Sequence, residues 1–124
     1  MVLASTEREI PLNAQGRHYH IHCGPGDIGR YILTSGDRSR CSKIASLFDR
    51  IEIVRENRDF LTITGHYKGI EVSALCSGIG PAAAAMAMVE ACQCSPEATF
   101  IRVGSCGGLQ DYINAGDLII TERA

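Results

Sequence analysis

The sequence predicts a three-layer α/β protein, a central mixed β-sheet with helices on its faces. Short apolar, β-branched runs recur along the chain, two intervening segments carry helical periodicity, and glycine-rich breaks follow the runs rather than interrupting them. Residues 1–17 are polar and aperiodic, with Pro11 and Gly16, and are expected to form a flexible arm. From His18 to Ala124 the chain reads as one domain. Gly24-Pro25-Gly26-Asp27 signals a turn and Tyr31–Thr34 a short strand that Gly36-Asp37 ends.

Residues 39–48 place Cys41, Ile44, Ala45, Leu47 and Phe48 on one helical face, behind an Asp or Ser cap. Residues 50–55 and 60–67 alternate apolar and polar positions, and Lys68-Gly69 turns the second run into Ile70–Cys76 as a hairpin. Gly78-Ile79-Gly80-Pro81 opens a helix over Ala82 to about Cys92, with Pro81 suited to its first turn. Strands are expected at Thr99–Val103 and Leu118–Thr121. An ending directly after a strand reads as a domain cut short.

Composition removes several classes of function. Twelve Lys plus Arg against fourteen Asp plus Glu give a net charge of −2, so no basic field is available for nucleic acid or an anionic membrane. The longest apolar run, Pro81–Val89, is far short of the roughly 20 residues that span a bilayer. No basic start and apolar h-region mark a secretory signal, so the six cysteines are expected to be reduced core thiols in a cytoplasmic protein, Cys92 and Cys94 included. Ten of the twelve basic residues are Arg, whose planar fork suits carboxylate or phosphate.

Two glycine-rich breaks beside arginines carry the candidate chemistry. In Ser35-Gly36-Asp37-Arg38-Ser39-Arg40, backbone N–H groups and a helix N-terminus can face an anion onto which Arg40 could fork. In Arg102-Val103-Gly104-Ser105-Cys106-Gly107-Gly108, an arginine in an apolar strand precedes a hydroxyl-bearing turn. Burial there would require an anionic partner for Arg102, either a carboxylate or a ligand. Gly78-Ile79-Gly80 lacks the third glycine of a dinucleotide fingerprint. The alternation His18-Tyr19-His20-Ile21-His22 would place three imidazoles on one side of an extended strand, open to zinc, to ordinary surface roles or to ligand contact; no Cys, Asp or Glu at ligand spacing accompanies it.

Taken in order, these landmarks resemble the nucleoside phosphorylase family of uridine phosphorylases and hexameric-type purine nucleoside phosphorylases. They are His20 sixteen residues before Gly36, Gly36-Asp37-x-x-Arg40, Arg58 before Tyr67-Lys68-Gly69, Ser77-Gly78-Ile79-Gly80-Pro81, and Arg102-Val103-Gly104-Ser105-Cys106-Gly107. The resemblance covers about His18 to Ala124 and implies the N-terminal half of such a subunit.

It further implies phosphate binding by Gly36, Arg40, Arg102 and Ser105, with Arg58 donated from a neighbouring subunit. His20 would cross the same interface to the ribose 5′-hydroxyl, Ile79 would pass the ribose, and Cys106-Gly107 would border the base. Asp59 corresponds to a monovalent-cation position in some members; no other metal is implied. The co-substrate is inorganic phosphate, with no further cofactor, and the assembly is a homo-oligomer built from dimers sharing active sites. Arg38 stands where the family usually has proline.

The implied reaction is reversible phosphorolysis of a nucleoside to free base and ribose 1-phosphate. Uridine is preferred because Tyr19–Tyr31 and Arg58-Asp59-Phe60 resemble that branch; purine nucleosides are the alternative, since Gly104-Ser105-Cys106-Gly107 also resembles purine enzymes. The Glu-Met-Glu ribose segment and the catalytic base-side groups are absent from these residues, so the chain itself is expected to be inactive. Two other classes stay open: a truncated paralogue that binds or regulates a full-length partner, and an unrelated phosphate-binding module.

Overall fold

The computed structural model describes Ile10 and residues 12–123. The first nine residues and Pro11, most of the expected arm, lie outside the described residues; of the remainder, Leu12 bridges His18.

The elements run β1 (Tyr31–Ser35), α1 (Arg38–Ala45), β2 (Arg50–Asn57), β3 (Phe60–Tyr67), β4 (Ile70–Cys76), α2 (Pro81–Cys94) and β5 (Thr99–Arg102). The strands form one mixed sheet in the order β2-β3-β4-β1-β5. β1 is parallel to both β4 and β5, whereas β2, β3 and β4 form an antiparallel meander.

Period-two alternation divides the core between the two faces. Leu61 and Ile63 of β3, with Ala74 and Cys76 of β4, pack on Cys41 and Ala45 of α1. Their neighbours Phe60 and Leu75, with Ile32 of β1, pack against Ala87, Ala91 and Cys94 of α2 and against Ile21, Cys23 and Ile28. One helix on each face makes the expected three layers.

Local chemistry sets several boundaries. Asp37 caps α1, its carboxylate accepting from the Ser39 N–H at 2.9 Å and the Ser39 hydroxyl at 2.7 Å. Pro81 begins α2, where its missing N–H costs no helical bond. Lys68 and Gly69 both have positive φ, 49° and 79°, the geometry of a tight two-residue hairpin turn. Beneath the 24–29 segment, Thr64 donates to the Asp27 carbonyl at 2.8 Å, and Ser73 bonds Thr64 at 2.7 Å while accepting from the Gly29 N–H at 2.9 Å. Arg55 forks onto the Asp27 carboxylate at 3.0 and 3.1 Å.

Four expectations change. Residues 118–121 form no strand; they pair with no described strand, and Leu118 and Ile120 are exposed. Helix α1 ends at Ala45 and α2 extends to Cys94, shifts of one helical turn or less at each end. Residues 18–22 are turned rather than extended, closed by the His18 N–H to the Cys23 carbonyl (2.9 Å) and the His22 N–H to the His18 carbonyl (3.0 Å). The three imidazoles therefore do not share a face: His18 is buried, and His22 has φ 55°. Cys92 is exposed while Cys94 is buried, since positions two apart on a helix face different ways.

All six thiols are free. Burial pushes Cys23 up to about 11 and Cys41 and Cys94 up to about 12, so these three are protonated and inert at neutral pH.

Gly65 sits where β3 meets the irregularity between Ile51 and Ile53 of β2, and a Cβ there would collide with the Arg50 carbonyl. Gly65→Ala is expected to destabilise the protein by about 1–3 kcal/mol, the scale of overpacking in a closed site. A denaturation midpoint equal to wild type would contradict this close approach.

Candidate functional site

The register of the sheet gathers the candidate residues at one edge. Ser35 pairs with Cys76 and Thr34 with Arg102, so β1, β4 and β5 end nearly level. The segments that leave them begin with Gly36, Ser77-Gly78 and Val103-Gly104. Leu61 pairs with Cys76 in the opposite direction, which brings the Arg58-Asp59 turn between β2 and β3 to the same edge. The carboxyl ends of parallel strands are where open α/β sheets bind ligands, because the diverging loops leave a crevice.

A cleft of about 490 Å³ opens there, lined by Gly36, Asp37, Arg38, Asp59, Cys76, Gly78, Ile79 and Ala83. Its floor requires glycine: a Cβ on Gly36 would lie 3.1 Å from the Gly78 carbonyl oxygen, and Gly78 itself has φ 70°. The Ser77 N–H donates to the Ser35 carbonyl at 2.8 Å and the Asp37 N–H to the Ser35 hydroxyl at 3.2 Å, which pins the two glycine turns together.

Of the residues implied by the resemblance, Gly36, Ile79 and Asp59 line this cleft, and Ile79 is almost fully exposed. Arg40 lies in the first turn of α1, and part of that helix N-terminus is already engaged by Asp37. Arg58 is exposed in its turn, with a left-handed φ of 52° and its guanidinium carbon 5.8 Å from the centre of the Tyr19 ring.

Arg102 differs from expectation. It is exposed, because β5 is an edge strand, and its guanidinium lies over Gly104. No carboxylate of the described residues pairs with it, and none is required when the group is solvated. Ser105, Cys106 and Gly107 follow in an exposed stretch.

His20 stands apart from this cleft. It lines a second opening of about 290 Å³ with Ile10, Ala85, Met86, Val89 and Glu90. Its Nδ1 lies 2.6 Å from Oε1 of Glu90, a carboxylate that is 2% exposed.

Two further residues shape this region, Arg38, noted in the sequence only as a departure from the family's proline, and Glu90, which no motif singled out. Arg38 lines the cleft and ties it to the β2–β3 turn, donating to the Arg58 carbonyl at 2.6 Å and pairing with Glu56. Glu90 is the only charged residue in the helix PAAAAMAMVEACQC, and that isolation was its available signal.

A mixed sheet between two helices, with glycine turns meeting at the ends of its parallel strands, defines an α/β protein with a ligand crevice at the sheet's carboxyl edge. The chain belongs to the phosphorylase superfamily, whose family model matches residues 30–124. It is 43% identical to a uridine phosphorylase of Thermococcus kodakarensis over its whole length, which is 44% of that relative. It is 36% identical to a DeoD-type purine nucleoside phosphorylase of Shewanella oneidensis, over 85% of the chain and 45% of the relative. The solved uridine phosphorylase of Vibrio fischeri superposes with a TM-score of 0.75 at 32% identity, over 83% of this chain and 43% of the other. The chain thus spans less than half the length of these relatives. Among the described residues, no helix is long and apolar enough to cross a membrane, and no cluster of three or more His, Cys, Asp or Glu could hold a metal ion.

Hydrogen bonds from the Ser39 side chain and N–H hold the Asp37 carboxyl below its ordinary value of 3.8. A depressed folded value means that the cap stabilises fully above the unfolded value and is lost as pH falls through the folded one. Asp37→Ala is therefore expected to lower Tm at neutral pH, with the gap to wild type closing in acid below the carboxylate range. Asp37→Asn should keep most of the cap at both pH values, and a gap independent of pH would remove the carboxylate from the capping role.

Proposed function

We propose that this chain forms the phosphate-binding half of a nucleoside phosphorylase, an enzyme that cleaves a nucleoside with inorganic phosphate into free base and ribose 1-phosphate. The observation that carries this reading is the meeting of Gly36, Gly78-Ile79 and Asp59 in one cleft at the edge where Arg40, Arg58 and Arg102 also emerge. Phosphate enters the loop of Gly36 and Arg40, Arg102 and Ser105 close on it from β5, and Arg58 reaches it from a neighbouring copy. Ile79 passes the ribose, Cys106-Gly107 borders the base, and Asp59 faces a monovalent cation between copies.

The chemistry follows from charge. The N-glycosidic bond breaks through an oxocarbenium-like transition state while phosphate approaches the anomeric carbon from the opposite face. Arginines orient the dianion, and the dianion in turn stabilises the positive sugar. No covalent intermediate or redox cofactor is needed. Uridine is the preferred substrate and purine nucleosides the alternative. The protein works in the cytoplasm as a homo-oligomer of dimers with shared sites.

Phosphate is expected to raise Tm, by an amount equivalent to about 2.7 kcal/mol at a hundredfold excess over Kd. Arg102→Ala should abolish most of that shift; an unchanged shift would remove Arg102 from the site. Residues 1–124 alone should release no base from uridine or inosine, because groups that act together in catalysis lose many orders of magnitude in rate when several are missing. In a longer chain that supplies the Glu-Met-Glu segment, uridine should turn over faster than inosine in phosphate buffer. Failure of that chain on both nucleosides would overturn the reading in favour of a non-catalytic partner-binding paralogue.

A further inference from the structure

The Glu90 carboxylate sits in the α2-face layer with one set of partners, all from a single turn. Its Oε2 accepts from the Ile21 N–H at 2.9 Å and the His20 N–H at 3.1 Å, and its Oε1 lies 2.6 Å from His20 Nδ1. From the other side, the Asn57 side-chain amide donates to the carbonyls of His20 at 2.8 Å and Tyr19 at 3.1 Å. Tyr19 and Phe60 meet the imidazole edge-on at 5.3 and 6.1 Å. Backbone N–H groups, backbone carbonyls and the ring itself are all held.

The donor–acceptor inventory then decides the state of the ring. A carboxylate accepts and does not donate, and two backbone N–H groups already point at this one. Nδ1 therefore presents an N–H to Oε1, and it is the second nitrogen that distinguishes the neutral ring from the imidazolium. No described residue bonds Nε2, the remaining nitrogen of a ring that borders the second opening.

We infer that Glu90 is a positioning residue that locks His20 in its Nδ1–H tautomer and leaves Nε2 as a bare acceptor for a sugar hydroxyl. The sugar assignment rests on the function proposed above; the locking of the tautomer does not. The same geometry specifies what Glu90→Gln would do. The two backbone N–H groups must keep facing an oxygen, so the carbonyl of the introduced amide would stay on Ile21 and His20 and its NH₂ would face Nδ1. The ring could then only accept at Nδ1, and its proton would move to Nε2.

The test is long-range ¹H–¹⁵N correlation of the His20 ring in the 124-residue chain near neutral pH, with His20→Gln supplying the assignment. Wild type should show a protonated Nδ1 and a bare Nε2. Glu90→Gln should exchange the two resonances across most of the separation between protonated and bare imidazole nitrogens. Asn57→Ala, which loosens the same turn without touching the ring, should leave the wild-type pattern in place.

A wild-type ring with its proton on Nε2, or on both nitrogens, overturns the inference even if Glu90→Gln fails to fold. So does a folded Glu90→Gln that keeps the wild-type pattern, which would make Glu90 a purely structural anchor. In the longer, active chain, Glu90→Gln should raise KM for uridine by up to about tenfold while leaving 5′-deoxyuridine nearly unchanged. Equal effects on both substrates, with the tautomer as expected, would keep Glu90's role and remove His20 from the sugar.

Discussion

The structure depends on β1 having a parallel neighbour on each side. Pairing with β4 and with β5 satisfies the backbone of Tyr31–Ser35 along both edges and makes three strands of one direction end nearly together. Once they do, their outgoing loops have no choice but to share a small volume. A side chain on Gly36 would press on the Gly78 carbonyl and one on Gly78 on Ala83, and Ser35 bonds both turns. The antiparallel β3 then delivers the Arg58-Asp59 turn to the same edge, because a hairpin strand that starts where its partner ends must have its preceding turn there.

Features governed by neighbours in sequence are legible without the structure. Asp37 caps because its short side chain reaches the N–H two residues on, and Pro81 starts a helix where no N–H is needed. Lys68-Gly69 makes a hairpin because the glycine accepts positive φ. Features governed by distant residues are not. The apolar flanks of Arg102 suggest burial, but sheet order places β5 at an edge, and edge position is a property of the whole topology. Residues 118–121 have the composition of a strand but pair with none of the described strands. His18–His22 alternates like a strand yet is turned by bonds from His18 to Cys23 and from His22 to His18. The glycine loops of the site are visible in the sequence for the reason that makes the hairpin visible, whereas Glu90 becomes meaningful only when folding sets it against a residue seventy positions away.

Much of the uncovered apolar surface belongs to β5 and the residues that follow it. Ile101 of β5 is half exposed, and Leu109, Tyr112, Leu118 and Ile120 face solvent almost completely. Exposed apolar side chains of this kind are unfavourable in water, and an uncovered edge strand is a template for further pairing. The solved Vibrio fischeri relative superposes with this chain over 43% of its own length, so the same architecture exists there within a larger body. The antiparallel end behaves differently. Its edge strand β2 carries Arg50, Glu52, Arg55 and Glu56 between its apolar residues, and such charge discourages edge-to-edge pairing. The sheet therefore has one protected edge and one receptive edge, and growth is favoured at β5.

The two openings of the subunit constrain how a shared site could be built. Gly36, Ile79 and Asp59 line one, and His20 lines the other with residues of the α2 face. His20 is held in its own opening, where Glu90, Asn57, Tyr19 and Phe60 contact its backbone and ring. In the shared site proposed above, the imidazole comes from another copy, and Met86 and Val89, which line the opening beside it, enter the contact. Rigidity in the donor is then an advantage: a group that crosses an interface already fixed in position and tautomer loses little further freedom on meeting its ligand. On that reading the buried carboxylate in an otherwise apolar helix is a cost to the fold of each subunit that is recovered in the neighbour's site.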